Sequence, residues 1–182
     1  MARLHDNTTQ DKGDTMKALG PLTNVVCSAL LLGCAASAPM TSASLDAEAK
    51  TFTPEAGHAN VYVARPGTFV GAALTVQTLL DDRSVGPLAP GTYQLLSVAP
   101  GKHVVSTVLA PPRGQRVGSP IIVGPERAFG YVTAEAGKNY FFELSLGTGL
   151  DPGQPRSFLR LITEQPGREV ILRLKRAEAT RY

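Results

Sequence analysis

The stretch Asn139–Gly147, NYFFELSLG, decides the fold class of this chain. Its large apolar residues at every second position, from Tyr140 to Leu146, fall on one face of an extended strand, while Phe141, Glu143 and Ser145 fall on the other. Alternation with a period of two is typical of a β-strand that buries one face. The stretch therefore predicts a strand in a sheet with a core on one side.

Short apolar runs recur on both sides of this stretch, and Gly- and Pro-rich turns separate them. The 182 residues include 18 Gly and 14 Pro and no Trp, a composition that favours many turns and short strands over long helices. The runs lie at residues 60–65, 72–80, 84–86, 92–98, 102–109, 121–123, 129–134 and 158–162. Strands at roughly ten-residue spacing predict a mainly all-β chain folded as a small β-sandwich.

The C-terminal segment 164–179, EQPGREVILRLKRAEA, has a different period. Val170, Ile171 and Leu174 are spaced as on one face of a helix, and Pro166 suits a first helical turn. We expect a short helix that packs on one sheet. A last strand is the alternative.

The N-terminal segment predicts export. Residues 25–33, VVCSALLLG, are uncharged and match the length of the apolar region of a secretory signal, but they are too few to span a bilayer. Residues 1–15 contain more Asp than Lys and Arg, whereas Met16-Lys17 supplies the expected basic start. We therefore predict a signal peptide over residues 1–33 whose true start could be Met16.

The apolar segment ends on Gly33-Cys34, and Leu31–Cys34 resembles the bacterial lipobox. There a small residue precedes a cysteine whose thiol takes the diacylglyceryl group and becomes the mature N-terminus. Acyl chains contribute about 0.8 kcal/mol per buried methylene to membrane binding. Cys34 is thus the predicted lipidation site, with cleavage between Gly33 and Cys34; cleavage within Ala36–Ala38 is the alternative. Ala35 after the cysteine, by the sorting of similar lipoproteins, implies the outer membrane, facing the periplasm.

The remaining chain divides by composition. Residues 34–58 are rich in Ala, Ser, Thr and Pro and lack periodicity, so we expect the lipidated cysteine and a flexible tether there. A short helix around residues 44–50 is compatible with that segment. The sandwich domain is predicted over residues 59–176 and a tail over 177–182.

Several short motifs together suggest a family. Residues 59–66, ANVYVARP, with Pro100-Gly101-Lys102-His103 and residues 136–142, AGKNYFF, resemble the domain of unknown function 2846 family of small bacterial proteins, often lipoproteins. The resemblance covers about 59–176 and is weakest in the loops 111–127 and 147–156. It implies a sandwich of transthyretin-like or carboxypeptidase-regulatory-like type, without an established activity.

Few residues offer chemistry. His58 and His103 are too few for a zinc site, which usually needs three or four ligands, so we expect no metal and no cofactor. Asp81 and Asp82 are adjacent, which suits a hairpin corner better than a carboxylate pair. We expect no enzyme. The alternative is an envelope hydrolase that uses Asp81, Asp82 and His103, which requires the three side chains to converge.

Basic residues concentrate near the C-terminus. Arg168, Arg173, Lys175 and Arg176 could contact an anionic partner such as lipid headgroups or lipopolysaccharide, or could form a solvated face with pairs such as Glu169 and Arg173. The net charge of +3 is too small to predict a nucleic-acid binder. The sequence predicts a non-enzymatic envelope lipoprotein, held at the membrane by its lipid, whose sandwich presents loops or a sheet edge to another envelope protein or a glycan.

Overall fold

The computed structural model of the protein describes residues 36–68, 71–110, 127–148 and 155–180. These residues form two helices and nine strands. The helices are α1 (Ala43–Ala49) and α2 (Glu164–Arg173). The strands are β1 (Ala59–Arg65), β2 (Thr75–Leu80), β3 (Arg83–Leu88), β4 (Thr92–Val98), β5 (Gly101–Ala110), β6 (Arg127–Ala134), β7 (Asn139–Thr148), β8 (Pro155–Ile162) and β9 (Lys175–Arg176).

The strands form two sheets that face each other across one apolar core. The first sheet has the order β8-β7-β1-β4-β9 and the second has the order β3-β2-β5-β6. Val61 and Phe142 of the first sheet and Val76 and Val105 of the second are among the buried residues of this core. The structure confirms the predicted small β-sandwich. The finer assignment to a transthyretin-like or carboxypeptidase-regulatory-like type stays a prediction.

The first sheet is covered on both faces. Its outer face carries a second apolar cluster in which Tyr62, Tyr93 and Phe141 pack against Phe52 and against the helix residue Ile171. All seven residues of β1 are therefore buried, although the strand alternates between the two clusters. Phe141 lies on the face opposite Phe142 in β7, and both are buried because helices cover the outer face.

The predicted flexible tether over residues 34–58 is wrong for its second half. Residues Ala43–Ala49 form α1, which begins at Ser42, whose hydroxyl accepts a hydrogen bond from the Leu45 amide. Ala49 and Phe52 are buried in the outer cluster. The composition of the segment is that of a linker, but two well-placed apolar residues and a helix N-cap are enough to fold it onto the sheet.

The C-terminal segment contains both of the predicted elements in succession. The expected helix is α2, and the alternative strand follows it as β9, which pairs in parallel with β4. The part of the predicted tail that the structure describes, residues 177–180, packs on the sandwich. Ala177 is fully buried, and the Thr180 amide donates to the Val85 carbonyl at 2.8 Å.

Several predicted strands differ in extent from those in the structure. The run 72–80 becomes a strand only from Thr75, because residues 71–74 form a turn whose carbonyls accept hydrogen bonds from Arg65. The brief run at 84–86 belongs to a full strand, β3. The predicted strand at 121–123 lies outside the described residues.

Candidate functional site

Asp81 and Asp82 form the tight turn between β2 and β3. Leu80 pairs directly with Arg83 across the turn, and the two aspartates have φ values of 49° and 63°. Positive φ at both central residues is the geometry of a type I′ hairpin turn. Their side chains diverge: Asp81 bonds His103, whereas Asp82 accepts a 3.1 Å hydrogen bond from Arg127.

Both ring nitrogens of His103 lie within hydrogen-bond distance of an acceptor oxygen. Nδ1 lies 2.7 Å from Oδ2 of Asp81, and Nε2 lies 2.9 Å from the carbonyl oxygen of Ala99. A carboxylate and a carbonyl can only accept, so both contacts are hydrogen bonds when each ring nitrogen carries a proton. The two acceptors favour the imidazolium form of the ring, and that form has no lone pair with which to act as a general base.

The electrostatics of the pair agree with this geometry. Partial burial lowers the pKa of His103, but its hydrogen bonds to Asp81 and Ala99 outweigh burial and leave that pKa above its ordinary value. Burial likewise raises the pKa of Asp81, yet hydrogen bonds from His103 and the Val104 amide bring it below its ordinary value. Of the three residues of the hydrolase hypothesis, Asp81 and His103 form an ion pair that holds the turn to β5. Asp82 bonds Arg127 instead.

The four basic residues predicted to contact an anionic partner fall into two groups. Arg168 pairs with Glu164 at 2.6 Å and lies over the Phe52 ring, and Arg176 donates to the Leu45 carbonyl at 2.9 Å. Arg173 and Lys175 are exposed, and within the described parts of the chain neither side chain has an ion pair or a hydrogen bond. Only these two are available to an external anion.

Arg65 has a role that sequence reasoning did not assign. Its side chain is buried and its guanidinium donates to the carbonyls of Leu74, Leu88 and Gly71, each at 2.8 Å. Burial lowers the pKa of Arg65 to about 10. In the sequence, the sign of this role is a charged residue directly after the mainly apolar run 60–64. The arginine joins one end of the first sheet to the turn 71–74 and to β3.

A groove along the edge of β4 is a concave feature of the described residues that sequence reasoning missed. It has a volume of about 660 Å³, and its lining includes five consecutive residues, Leu95–Ala99, which we call its floor. One wall is α1 with the following loop, and the other is the second sheet with the C-terminal segment 179–180. The groove exists because β9 covers only the first residues of β4, at Thr92 and Tyr93.

The floor of the groove offers unpaired main-chain groups. The carbonyls of Gly91 and Tyr93 accept hydrogen bonds from the amides of Lys175 and Ala177, so every second residue of β4 presents its backbone to this edge. By the same alternation Leu95 and Ser97 point their N–H and C=O groups outward. No residue in the described ranges pairs with them at this edge. Such an edge is a template for another extended strand.

The walls of the groove carry apolar and charged side chains. Leu45 of α1, which is 36% exposed, and the partly buried Leu95 both line the groove and supply apolar surface. Glu48, Glu55 and His58 also line the groove. The mixture suits a peptide whose main chain pairs with β4 while its side chains contact the walls.

Cys34 and Gly33, the predicted lipidation and cleavage residues, lie outside the described residues. Nowhere in the described ranges does a helix have the length and apolar character needed to cross a membrane. Across those same ranges, no group of three or more His, Cys, Asp or Glu side chains is placed to hold a metal ion.

Comparisons with known proteins identify relatives of the chain. A family model described as "Protein of unknown function (DUF2846)" matches residues 55–154, which include β1 to β7 and so most of both sheets. An uncharacterized protein of Haemophilus influenzae is 28% identical over 170 residues, which are 91% of this chain and 89% of that protein. No solved structure matches the chain. With more than half of its length matched by the family model, and in agreement with the resemblance of its motifs, the chain belongs to the DUF2846 family of proteins of unknown function.

Proposed function

We propose that the protein is a lipid-anchored, non-enzymatic module of the bacterial envelope that binds an extended segment of another envelope protein along the β4 edge. The observation that carries the binding role is the groove whose floor, Leu95–Ala99, presents unpaired backbone donors and acceptors. The anchoring role rests on the sequence Leu31–Cys34. Ala35 favours the outer membrane as the site of attachment.

Backbone geometry supports a polypeptide as the partner. Leu95 and Ser97 together offer alternating N–H and C=O groups at the spacing of a β-ladder, and an added strand satisfies both kinds of group. Five residues of floor extend over about 17 Å, the length of a typical strand. A glycan has no matching ladder of donors and acceptors, so the protein partner is favoured over the glycan.

The Asp81–His103 pair supports a role without catalysis. Both nitrogens of His103 face acceptors, and Asp82 is bonded to Arg127 away from that pair. The hydrolase hypothesis needs the three residues on one reacting atom, and this arrangement does not supply them with a free base.

Anchoring is tested on the protein as cells make it. The mass of the N-terminal peptide should correspond to an acylated Cys34 as first residue, and labelling with fatty acid should disappear in Cys34→Ala. A mature N-terminus within Ala36–Ala38 without acyl mass would contradict anchoring. The binding role does not depend on this result.

Peptide binding is tested with a matched pair of variants, Ser97→Pro and Ser97→Ala. Pro removes the outward N–H of Ser97 without removing a ladder hydrogen bond to β1, and Ala keeps that N–H. The probe is a displayed library of random ten-residue peptides selected on the unaltered protein. Selected peptides should bind Ser97→Ala as they bind the original and should lose about tenfold or more in affinity for Ser97→Pro, a loss of the size expected for one or two hydrogen bonds.

The same peptides should slow hydrogen exchange of the Leu95 and Ser97 amides. Equal binding to both variants, or protection confined to other strands, would refute strand addition at β4. Binding of peptidoglycan fragments that Ser97→Pro leaves unchanged would support the glycan alternative instead.

A further inference from the structure

We infer that the anchored protein rests on the bilayer through one end of the sandwich, where Arg173 and Lys175 face anionic lipid headgroups. We call this the anchor end and define it by residues 65–68, 71–74, 89–92 and 173–175. The inference rests on the anchoring at Cys34 proposed above.

The first described residue, Ala36, lies at the anchor end. The amide of Ala36 donates a 3.2 Å hydrogen bond to the carbonyl of Ala72, in the loop between β1 and β2. Cys34 is two residues earlier, and two extended residues span at most about 7 Å. A lipid on Cys34 therefore holds the Ala72 loop close to the headgroup layer, so the expected long tether cannot separate them.

A chain of hydrogen bonds connects this loop to Arg173 and Lys175. Arg65 donates to the carbonyl of Gly71 at 2.8 Å, and its own carbonyl accepts from the Gly91 amide at 2.9 Å. The Gly91 carbonyl in turn accepts from the Lys175 amide at 3.2 Å. Lys175 and the Ala72 loop thus share one end of the sandwich, and Arg173 closes α2 two residues before Lys175.

The charge of the anchor end suits an anionic surface. Arg173 and Lys175 are exposed, and the ranges that define this end contain no Asp or Glu. Lys and Arg attract anionic headgroups when they lie within about a Debye length, roughly 8 Å at physiological salt. Of the four basic residues predicted to contact anions, the two without partners in the described structure are those brought to the membrane by the anchor.

This orientation turns the groove away from the lipid. β4 begins at Thr92 in the anchor end and runs to Val98 at the opposite end, and the groove floor is the later part of that strand and Ala99. A seven-residue strand extends over about 23 Å. The open edge is therefore presented to the aqueous side, where a partner can reach it.

The test uses the full chain, expressed in cells and reconstituted in vesicles after its N-terminal mass has been measured. The sequence contains only Cys27 and Cys34, so an acylated mature chain has no free thiol and accepts one introduced label. Ala73→Cys puts a fluorophore at the anchor end, and Ala136→Cys puts it in the turn at the far end. Both positions are exposed alanines. The quencher is a nitroxide carried on the lipid headgroup.

We expect quenching at Ala73→Cys to exceed that at Ala136→Cys about twofold or more, since the strands separate the two ends by about 23 Å. Reversing the charge with Arg173→Glu and Lys175→Glu should reduce this difference in vesicles with anionic lipid and leave it unchanged in neutral vesicles. The matched control reverses Lys102 and Lys138, two exposed lysines at the far end, and should not reduce it.

The outcomes separate this inference from the proposed function. A chain without acyl mass on Cys34 overturns the anchoring and this inference together. An acylated chain with equal quenching at both ends, or stronger quenching at Ala136→Cys, overturns the orientation alone. If the difference in quenching between Ala73→Cys and Ala136→Cys in anionic vesicles is unchanged by the charge reversal, the role of Arg173 and Lys175 is overturned.

Discussion

The hydroxyl of Tyr93 donates a 2.8 Å hydrogen bond to Oδ1 of Asp46, and so joins β4 to α1. The same carboxylate oxygen accepts from the Arg176 amide at 3.0 Å, while Oδ2 pairs with Lys50 at 2.7 Å. Burial raises the pKa of Asp46, but these hydrogen bonds outweigh it and leave that pKa below its ordinary value. One carboxylate therefore holds α1, β4 and the C-terminal segment together.

Asp46→Ala should destabilise the protein by about 3 kcal/mol, because it leaves the Tyr93 hydroxyl and the Arg176 amide without their acceptor. Tyr93→Phe should cost about 1.5 kcal/mol, the size expected for a hydrogen bond to a charged group. Urea unfolding of both single variants and of the double variant measures these losses. The double variant should lose less than the sum of the two, with a coupling of about 1 kcal/mol, since the residues share one interaction. Additive losses would contradict the link.

The Asp81–His103 pair should make stability depend on pH. The folded pKa of His103 is raised, so its contribution is complete below its ordinary value of about 6.5 and is lost as pH rises through the folded pKa. The folded pKa of Asp81 is lowered, so its contribution is complete above about 3.9 and is lost as pH falls through the folded pKa. The pair therefore stabilises most between about pH 4 and pH 6.5.

The size of this effect follows from exposure. The Asp81 side chain is 45% exposed, so solvent screening limits the pair to about 0.5–1 kcal/mol. This contribution should make the free energy of unfolding larger at about pH 5.5 than at about pH 8.5. His103→Gln should remove that difference. Arg127→Gln, which affects only the exposed partner of Asp82, serves as the control and should keep it. An unchanged pH dependence in His103→Gln would show that other groups cause it.

The fold was predictable where a single local pattern decides it. Alternation around Phe142 indicates a strand, and the spacing of Ile171 and Leu174 indicates a helix, because each pattern reflects which face is buried. The segment around α1 has no such pattern: its helix is short and buries little besides Ala49, with Phe52 just beyond it. Its position depends on Asp46 and Tyr93, which lie 47 residues apart in sequence. Long-range contacts of this kind leave no periodic trace.

The site was less predictable than the fold. Adjacent aspartates at 81 and 82 indicated a hairpin corner, and that is where they lie. The β4 groove could not be inferred, because it depends on where β9 stops and on which sheet edge remains open. Both are properties of strand order, and Leu95 and Ser97 look like ordinary strand residues in the sequence. Arg65 was visible as a charge in an apolar run, but its three acceptors belong to two other elements.

Gly167 in α2 should resist substitution by Ala, although Ala is the better helix former by about 1 kcal/mol. A Cβ at this position would lie 2.6 Å from Cβ of Phe141, so the helix would have to move away from the first sheet. Gly167→Ala should therefore destabilise the protein by about 1–3 kcal/mol in urea unfolding. Glu169→Ala, at an exposed position of the same helix, should change stability by less than about 0.5 kcal/mol. A stabilised Gly167→Ala would mean that α2 does not pack this closely.

Arg65→Lys should be among the most destabilising conservative substitutions in the chain. The guanidinium reaches three carbonyls at once, on Gly71, Leu74 and Leu88, and a single ammonium on a flexible stem cannot reproduce that fork. The expected loss is about 3 kcal/mol or more, because buried carbonyls lose their donors while a charge stays buried.

Arg160→Lys is the matched control: its side chain is 73% exposed with one 3.4 Å pair to Glu143, and it should lose less than about 0.5 kcal/mol. Urea unfolding measures both losses. In Arg65→Lys the Leu74 amide should also exchange its hydrogen faster, because that amide donates to the Gly71 carbonyl within the turn that Arg65 holds. Equal, small losses for both variants would show that the turn 71–74 holds itself in place without the arginine.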